Sequence, residues 1–454
     1  MSDTTPSAPH ESAGLDRRTF LALGAGAGAS ALLAGCGGGK SADDAAKPPA
    51  AASPTKEFTG EYTGPNVELQ YWNGFTGGDG PFMKKLVDTF NTEHKNIKVT
   101  MNTSQWADFY AKMPAAVQGG KGPDVVAMHM DAIPANAARQ IVVPLDDVAS
   151  GLKLEEKDFY PLVWKAGVYK DQRYGIPLDV HSLGMFYNKA EMKKGNVAEP
   201  PKDAASFDAA LQALDKGGSK EPFWVPNRWP AHLIFLSLLW QYGGEPYAEN
   251  GEEATFNSEA GVKALTWMTD QIKKGYSPKN VAQDSQYTAF KNGKGAITWD
   301  GIWQINDLKT TKLDWAVAPI PQIGDKNAVW ANSHNFCMVK QAKPDQNKAD
   351  ASRAFIGWLS SKSKEWAGAA MIPARNSERT AAETDANAQT AISKQIDAMR
   401  FLPPIPAVGE VQAQTLEVAV QEAVLGRKAP KAALDDNASK AGKLMKENKK
   451  KFGG

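Results

Sequence analysis

Val67-Glu68-Leu69-Gln70-Tyr71-Trp72 alternates apolar and polar residues, the period of a strand with one face turned to a core. The loop Asn73 to Gly80 follows. Pro81 then opens a stretch in which Met83, Leu86, Val87 and Phe90 recur at i, i+3, i+4 and i+7, the apolar stripe of a helix. Ile97 to Met101 alternates again, Trp106 to Val117 has helical character, and Pro123-Asp124-Val125-Val126-Ala127-Met128 reads as a third strand. Strand, helix, strand, helix, strand predicts an α/β fold: parallel neighbours need a crossover, and helical crossovers cover both faces of the sheet. No internal repeat is visible.

Further on, Tyr174-Gly175-Ile176-Pro177-Leu178-Asp179 and Gly184-Met185-Phe186-Tyr187-Asn188-Lys189 form a β-rich, proline-marked passage, as though the chain crossed into a second lobe. Ser258 can cap a helix from Glu259 to Lys274, and Gly275 can end it. Gly295 to Asp300 reads as a strand and Ile302 to Leu308 as a short helix. Trp315 to Ile323, with two prolines, reads as the return crossing. Ala349 to Trp366 is amphipathic, and the helical end of the chain runs into Lys449-Lys450-Lys451, expected to be a solvated tail.

Upstream of the first strand, Arg17-Arg18 precedes an uncharged stretch from Thr19 to Gly35 that is too soft and short for a membrane span. It reads as an export signal. Asp16-Arg17-Arg18-Thr19-Phe20-Leu21 resembles the twin-arginine consensus, and Leu33-Ala34-Gly35-Cys36 resembles a lipobox whose cysteine is acylated after cleavage. The following residues are Gly, Ala, Pro, Ser and Lys with few apolar anchors, a tether rather than a domain. Cys337, the other of two cysteines, would then have no partner, so no disulfide is expected. No later apolar run reaches membrane length; Leu233 to Trp240 is short and includes Ser237.

Of 454 residues, 23% are charged and 42% hydrophobic, which excludes a disordered or collagen-like chain. A net charge of +1 leaves no field to hold a polyanion, so no nucleic-acid partner is expected. Tryptophans number 13 against 11 tyrosines, more flat amphipathic faces than a core alone requires.

No enzyme signature stands in the chain after Cys36: it has no GxSxG, no HExxH and no paired CxxC. His129 and Asp131 lack a third metal ligand in local spacing, so neither metal nor cofactor is expected. Gly78 and Asp79 lie in the loop before the first helix, where free backbone N–H groups can meet ligand oxygens. His129 and Asp131 lie at the carboxyl end of the third strand, where open α/β sheets place ligands. Trp229 with His232, Asp300 with Trp303, and Trp330 with Ser333 and His334 each set an aromatic ring beside hydrogen-bonding groups. Rings that stack on a sugar's C–H face, with acids, amides and imidazoles for its hydroxyls, suit a saccharide. One ring burying roughly 80 Å² contributes about 2 kcal/mol. Arg375 is a further candidate, with a salt bridge as the favoured role for it.

The order of these motifs resembles the extracellular solute-binding proteins of bacterial sugar ABC transporters, the group that includes maltose-binding protein. The resemblance covers nearly all of residues 66 to 450. It rests on Tyr71-Trp72-Asn73, Gly119 to Val126, Ile176-Pro177 with Phe186 to Lys189, Ala289 to Lys294, and Ala354 to Leu359. It implies a two-lobed fold, each lobe a mostly parallel sheet flanked by helices, joined by a multi-strand hinge. The implied organisation is an export signal over 1–35, a lipid-anchored tether over 36–65, an N-terminal lobe over 66–178 and 322–372, and a C-terminal lobe over 179–321 and 373–450. Trp72, Asp179 and His181 join the candidate site on this resemblance: Trp72 from the opening motif, Asp179 and His181 from the crossing. Asp131 falls where the family often has a sugar-binding acid, with Met128 in place of the aromatic before it. His181 stands where maltose-binding protein has a binding glutamate. Trp303 matches a stacking tryptophan, and Gln412 stands where another ring is usual. The implied protein is a monomeric, lipid-anchored receptor that closes on a mono- or oligosaccharide and docks on a membrane permease, without catalysis. The same fold holding a polyamine, glycerophosphodiester or peptide, an exported glycosidase, and a surface adhesion or sensor protein are the alternatives.

Overall fold

In a computed structural model of the chain, residues 58–382 and 388–452 are described; the export signal, Cys36 and most of the tether lie outside them. The three opening strands pair as their pattern requires. β1 (Val67–Asn73) runs parallel to β2 (Ile97–Thr103) along its whole length, and parallel to β3 (Val125–His129) at Tyr71↔Val125 and Trp72↔Val126. Alternation along β1 separates two cores. Leu69 and Tyr71 face α1 (Gly80–Glu93), whose stripe Met83, Leu86, Val87 and Phe90 is buried. On the other face Val126 and Met128 meet Phe109 and Met113 of α2 (Trp106–Gln118). The sheet is completed by β4 (Val142–Val143), β5 (Ile176–Pro177) and a late strand described below.

A second sheet is built on β6 (Asp179–Asn188), buried at every residue but Tyr187. Burial on both faces explains why this stretch reads as a nearly continuous apolar run with no alternation. β6 pairs antiparallel with β7 (Ile297–Gly301), β8 (Trp315–Ala318), β9 (Val329–Asn332) and β11 (Ile372–Pro373). β9 in turn lies parallel to β12 (Met399–Arg400). Pairing is therefore more mixed than the opening strands led one to expect, because β6's four neighbours all run against it.

The late strand of the first sheet is β10 (His334–Val339), antiparallel to β3, β4 and β5. The return between sheets thus occurs at Ser333, between β9 and β10, and not at Trp315 to Ile323. The proline-rich stretch misled: its first four residues are β8 in the second sheet, and Val329–Asn332 still belongs there, beyond the expected boundary at residue 322. Outward passage occurs at Leu178, between β5 and β6, and a third passage brings the chain to β11.

The apolar run Leu233 to Trp240 lies in a helix, Ala231–Gln241, buried at every position. Its polar members have work inside the protein: Ser237 Oγ accepts from Trp330 N at 2.9 Å, and Gln241 Nε2 donates to the Ala328 carbonyl at 2.9 Å. No helix among the described residues is long and apolar enough to cross a membrane. Ser258 caps Glu259–Lys273 by accepting from Gly261 N, and Gly275 follows with φ of +80°.

Two end segments depart from expectation. The tether's last residues are docked: Phe58 is buried, its ring packed by Gly357, and Asn96 Nδ2 donates to the Tyr62 carbonyl at 3.0 Å. At the other end, the helix Pro430–Phe452 carries the lysines expected to be a solvated tail. Lys450 and Lys451 are exposed as expected, but Lys449 pairs with Glu252 at 2.7 Å, and Phe452 is buried beside Ala135 and Ala138 of the first lobe.

Candidate functional site

Sheet register collects the histidines. His334, first residue of β10, lies opposite His129, last residue of β3, while Asn332 of β9 lies opposite His181 of β6. Because β9 and β10 are consecutive through Ser333, three strands from two sheets deliver three imidazoles to one place. Ser333 itself is buried and structural: its carbonyl accepts from Met130 N at 2.9 Å, and its N–H donates to Asn332 Oδ1 at 2.8 Å.

Asp179 anchors the cluster. Fully buried, its carboxylate accepts from His334 N (3.0 Å), His334 Nδ1 (2.9 Å), His181 Nδ1 (3.2 Å) and Trp366 Nε1 (2.7 Å). Burial alone would raise its pKa, but the neighbouring His334 and the hydrogen bonds from both imidazoles hold it well below the usual carboxylate range. The same burial pushes His181 down to about 4 and His129 well below the ordinary imidazole value, with the neighbouring imidazoles adding to both. Both rings are therefore neutral near pH 7. His129 Nδ1 lies 2.8 Å from the Tyr110 hydroxyl, which also accepts from His129 N.

Rings continue outward in both directions. Trp106 stacks on His334 (5.3 Å between centroids), and His334 stacks on His181 (4.2 Å). His181 meets Trp303 edge-on at 5.8 Å, Trp303 lies 6.1 Å from Trp229, and Trp229 lies 5.3 Å from His232. This seam runs from a helix of the first sheet to elements of the second, through the hinge.

Acids flank it. Asp131 accepts from Asn332 Nδ2 at 3.2 Å and is raised by burial. Asp79, buried in the first loop, accepts from Gly77 N at 3.1 Å and is pushed up to about 6 by burial. Gly78 beside it lies against the other lobe: a β-carbon there would stand 3.1 Å from the Trp303 carbonyl and 3.0 Å from Asp307 N. Asp300, pushed up to about 7 by burial, is committed within the second lobe, accepting from Gly301 N (2.8 Å) and Gln286 Nε2 (3.0 Å). His232 is buried with Nε2 3.6 Å from a Glu417 oxygen, and burial lowers its pKa.

Two candidates stand apart. Trp72 packs on the cluster of Phe109, Met113 and Val126, since β1's alternation turns it to that face. Arg375 pairs with Asp158 at 3.2 Å, on the segment bridged to Phe159, and serves as an ion-pairing residue. Trp330, the ring in the stretch Trp330 to Asn335 that the sequence marks, touches His181; Phe75, Trp106, Tyr110 and Trp366, which the sequence does not mark, also touch the histidines or their carboxylate. Trp106, Tyr110 and Trp366 looked like ordinary helix residues.

Residues 74–366 match the model of a family described as bacterial extracellular solute-binding protein. The chain is 22% identical over 296 residues to the maltotriose-binding protein of Pyrococcus abyssi, covering 63% of this chain and 61% of that one, so it spans about three fifths of that relative's length. It is 25% identical over 440 residues to the maltooligosaccharide ABC transporter solute-binding lipoprotein of Streptococcus pneumoniae, covering 94% of this chain and 96% of that one. Among solved structures, the GacH receptor of Streptomyces glaucescens, determined unliganded and with acarbose, superposes with a TM-score of 0.76 at 21% identity, over 84% of this chain and 99% of that one. At that identity the likeness speaks for the fold, two α/β lobes joined by hinge strands. With well over half of its residues matched by the family model, the chain belongs to the bacterial extracellular solute-binding proteins.

Proposed function

We propose that this protein is the extracellular sugar receptor of an ABC importer, capturing a mono- or oligosaccharide between its lobes and delivering it to a membrane permease. The observation that carries this reading is the ring seam through the hinge, with Trp303 and Trp229 on one side, Trp106 on the other, and carboxylates beside it. The maltotriose- and maltooligosaccharide-binding relatives support a saccharide. Hinge closure would follow from differential contact: only the closed form lets both lobes touch the ligand, so ligand binding favours it. Gly78 against Trp303, Asn306 Nδ2 donating to the Gly368 carbonyl (2.8 Å) and Arg139 paired with Glu410 (2.9 Å) are contacts between the lobes that such a form retains. The reading assigns no catalysis. It makes the chain a monomer held at the outer face of the cell membrane by acylated Cys36 after twin-arginine export; the pneumococcal relative is named a lipoprotein.

Calorimetric titration against maltotriose, shorter and longer saccharides, a polyamine and a glycerophosphodiester tests this. We expect micromolar binding of one saccharide class, weakened about 30-fold in Trp303→Ala, as the loss of about 2 kcal/mol from one stacked ring requires. Binding of the polyamine or phosphodiester alone would keep the fold and overturn the substrate.

A further inference from the structure

Three of the chain's six histidines meet at the hinge. A nitrogen of each of His129, His181 and His334 lies within 4.8 Å of the other two, although the three come from separate strands. We infer that these imidazoles form a binding site for one transition-metal ion of the zinc class. The expectation of no metal rested on local spacing, which cannot see ligands that sheet register brings together.

Hydrogen bonding decides which nitrogens can offer a lone pair to a metal. His181 Nδ1 and His334 Nδ1 both point at the Asp179 carboxylate, an acceptor without a proton to give, so both must carry hydrogen. With Nδ1 as the hydrogen-bearing nitrogen, Nε2 is the atom on each ring that can ligate a metal. His129 Nδ1 is paired with the Tyr110 hydroxyl, which also accepts from His129 N; a metal on His129 Nε2 would select the tautomer in which Nδ1 carries the hydrogen and donates to that hydroxyl. No hydrogen bond among the described residues engages the Nε2 of any of the three. Two lone pairs backed by the Asp179 carboxylate, with a third on His129 in the tautomer that donates to Tyr110, make the outer-shell arrangement that orients metal-ligating histidines. Asp179 backs two rings at once and is itself held by the Trp366 indole, and its negative charge offsets a buried dication.

The geometry needs little adjustment. At zinc–nitrogen lengths of about 2.1 Å, tetrahedral ligand nitrogens stand about 3.4 Å apart. Rotation about the side-chain torsions, with the His181–His334 stack splaying, closes the present spacing. Three imidazoles without a thiolate or a free carboxylate select zinc, copper, nickel or cobalt over magnesium or calcium, which want oxygen. Asp179 is fully used by its four donors, so the fourth position stays open for water or a ligand oxygen, on the side where Trp303 meets His181.

This inference does not rest on the saccharide reading, and its test contains no sugar. The full chain, stripped with chelator, is titrated with Zn²⁺ and Co²⁺ by calorimetry, with Mg²⁺ and Ca²⁺ as controls, and its melting temperature is followed. We expect one equivalent of Zn²⁺ with a micromolar or tighter dissociation constant, a raised melting temperature, the visible bands of four-coordinate cobalt, and no response to Mg²⁺ or Ca²⁺. His181→Gln and His334→Ala should each weaken binding at least 100-fold, Asp179→Asn 10- to 100-fold through lost positioning, and His94→Gln not at all. The wild-type titration stands even where a buried variant fails to fold. No zinc binding at 100 μM, or binding unchanged in a folded His181→Gln protein, overturns the site and leaves the lone pairs to ligand hydroxyls; saccharide binding is unaffected by either result.

Discussion

Asp179 and Asp300 are both buried aspartates, yet their surroundings act on them in opposite senses. Asp179 receives four donors, two of them imidazole N–H groups, and is held ionised. Its folded pKa is depressed, so the stability it contributes is present above the ordinary aspartate range and is lost as pH falls below it. Asp300 receives only amide donors and is pushed from 3.8 to about 7. The folded state therefore holds a proton there that the unfolded chain releases, and stability from this group falls as pH rises from about 4 to about 7. Gln286 Oε1, buried and unpartnered, is an acceptor that a protonated Asp300, or an asparagine, can satisfy once the amide turns over. Asp300→Asn should flatten this part of the stability profile and gain up to about 4 kcal/mol at pH 8 relative to its effect at pH 4, read by chemical denaturation at both values. An unchanged profile would show that Asp300 is ionised throughout.

The element that presents Trp303 is the end of β7. A β-carbon built on Gly301 would lie 2.1 Å from the Trp303 ring, so the ring rests directly on that glycine. The turn fixes the ring where His181, Trp330 and Trp229 meet it. Gly301→Ala must push the indole off its seat. We expect ligand affinity to fall nearly as far as in Trp303→Ala, with a stability cost of about 1–3 kcal/mol from overpacking. Tryptophan fluorescence and calorimetry together check this, since a moved but intact ring changes both. Wild-type affinity in Gly301→Ala would remove Trp303 from the binding surface.

Across the whole molecule, the lobes are joined by strands and touch at a few further points. Gly78 meets the backbone of Trp303 and Asp307 at distances that leave no room for a larger side chain, and Glycine 78 has no left-handed backbone that would itself resist substitution. Gly78→Val should therefore oppose closure while sparing each lobe. The expected result is at least tenfold weaker ligand binding, an unchanged melting temperature without ligand, and a larger radius of gyration by X-ray scattering. Equal affinity with unchanged scattering would sink the closure mechanism. Phe452 adds a second tie, since Tyr169 donates to its carbonyl at 2.9 Å while Arg139 lies over its ring.

Local pattern by itself determined the first three strands, the helices between them and the stripe from Met83 to Phe90: β2 and α1 each keep a wet face and so alternate or recur, while β3, buried on both faces, is a short apolar run opened by Pro123. It also marked Trp229, Trp303 and His334, where aromatic and polar residues adjoin. Tertiary structure alone decided the return at Ser333, since hinge strands buried on both faces carry no alternation to read. It also decided that Trp72 lies apart, that Lys449 and Phe452 dock the end of the chain, and that His129, His181 and His334 converge. Their meeting follows from strand register between two sheets, a relation among residues far apart in the chain that no spacing along it encodes.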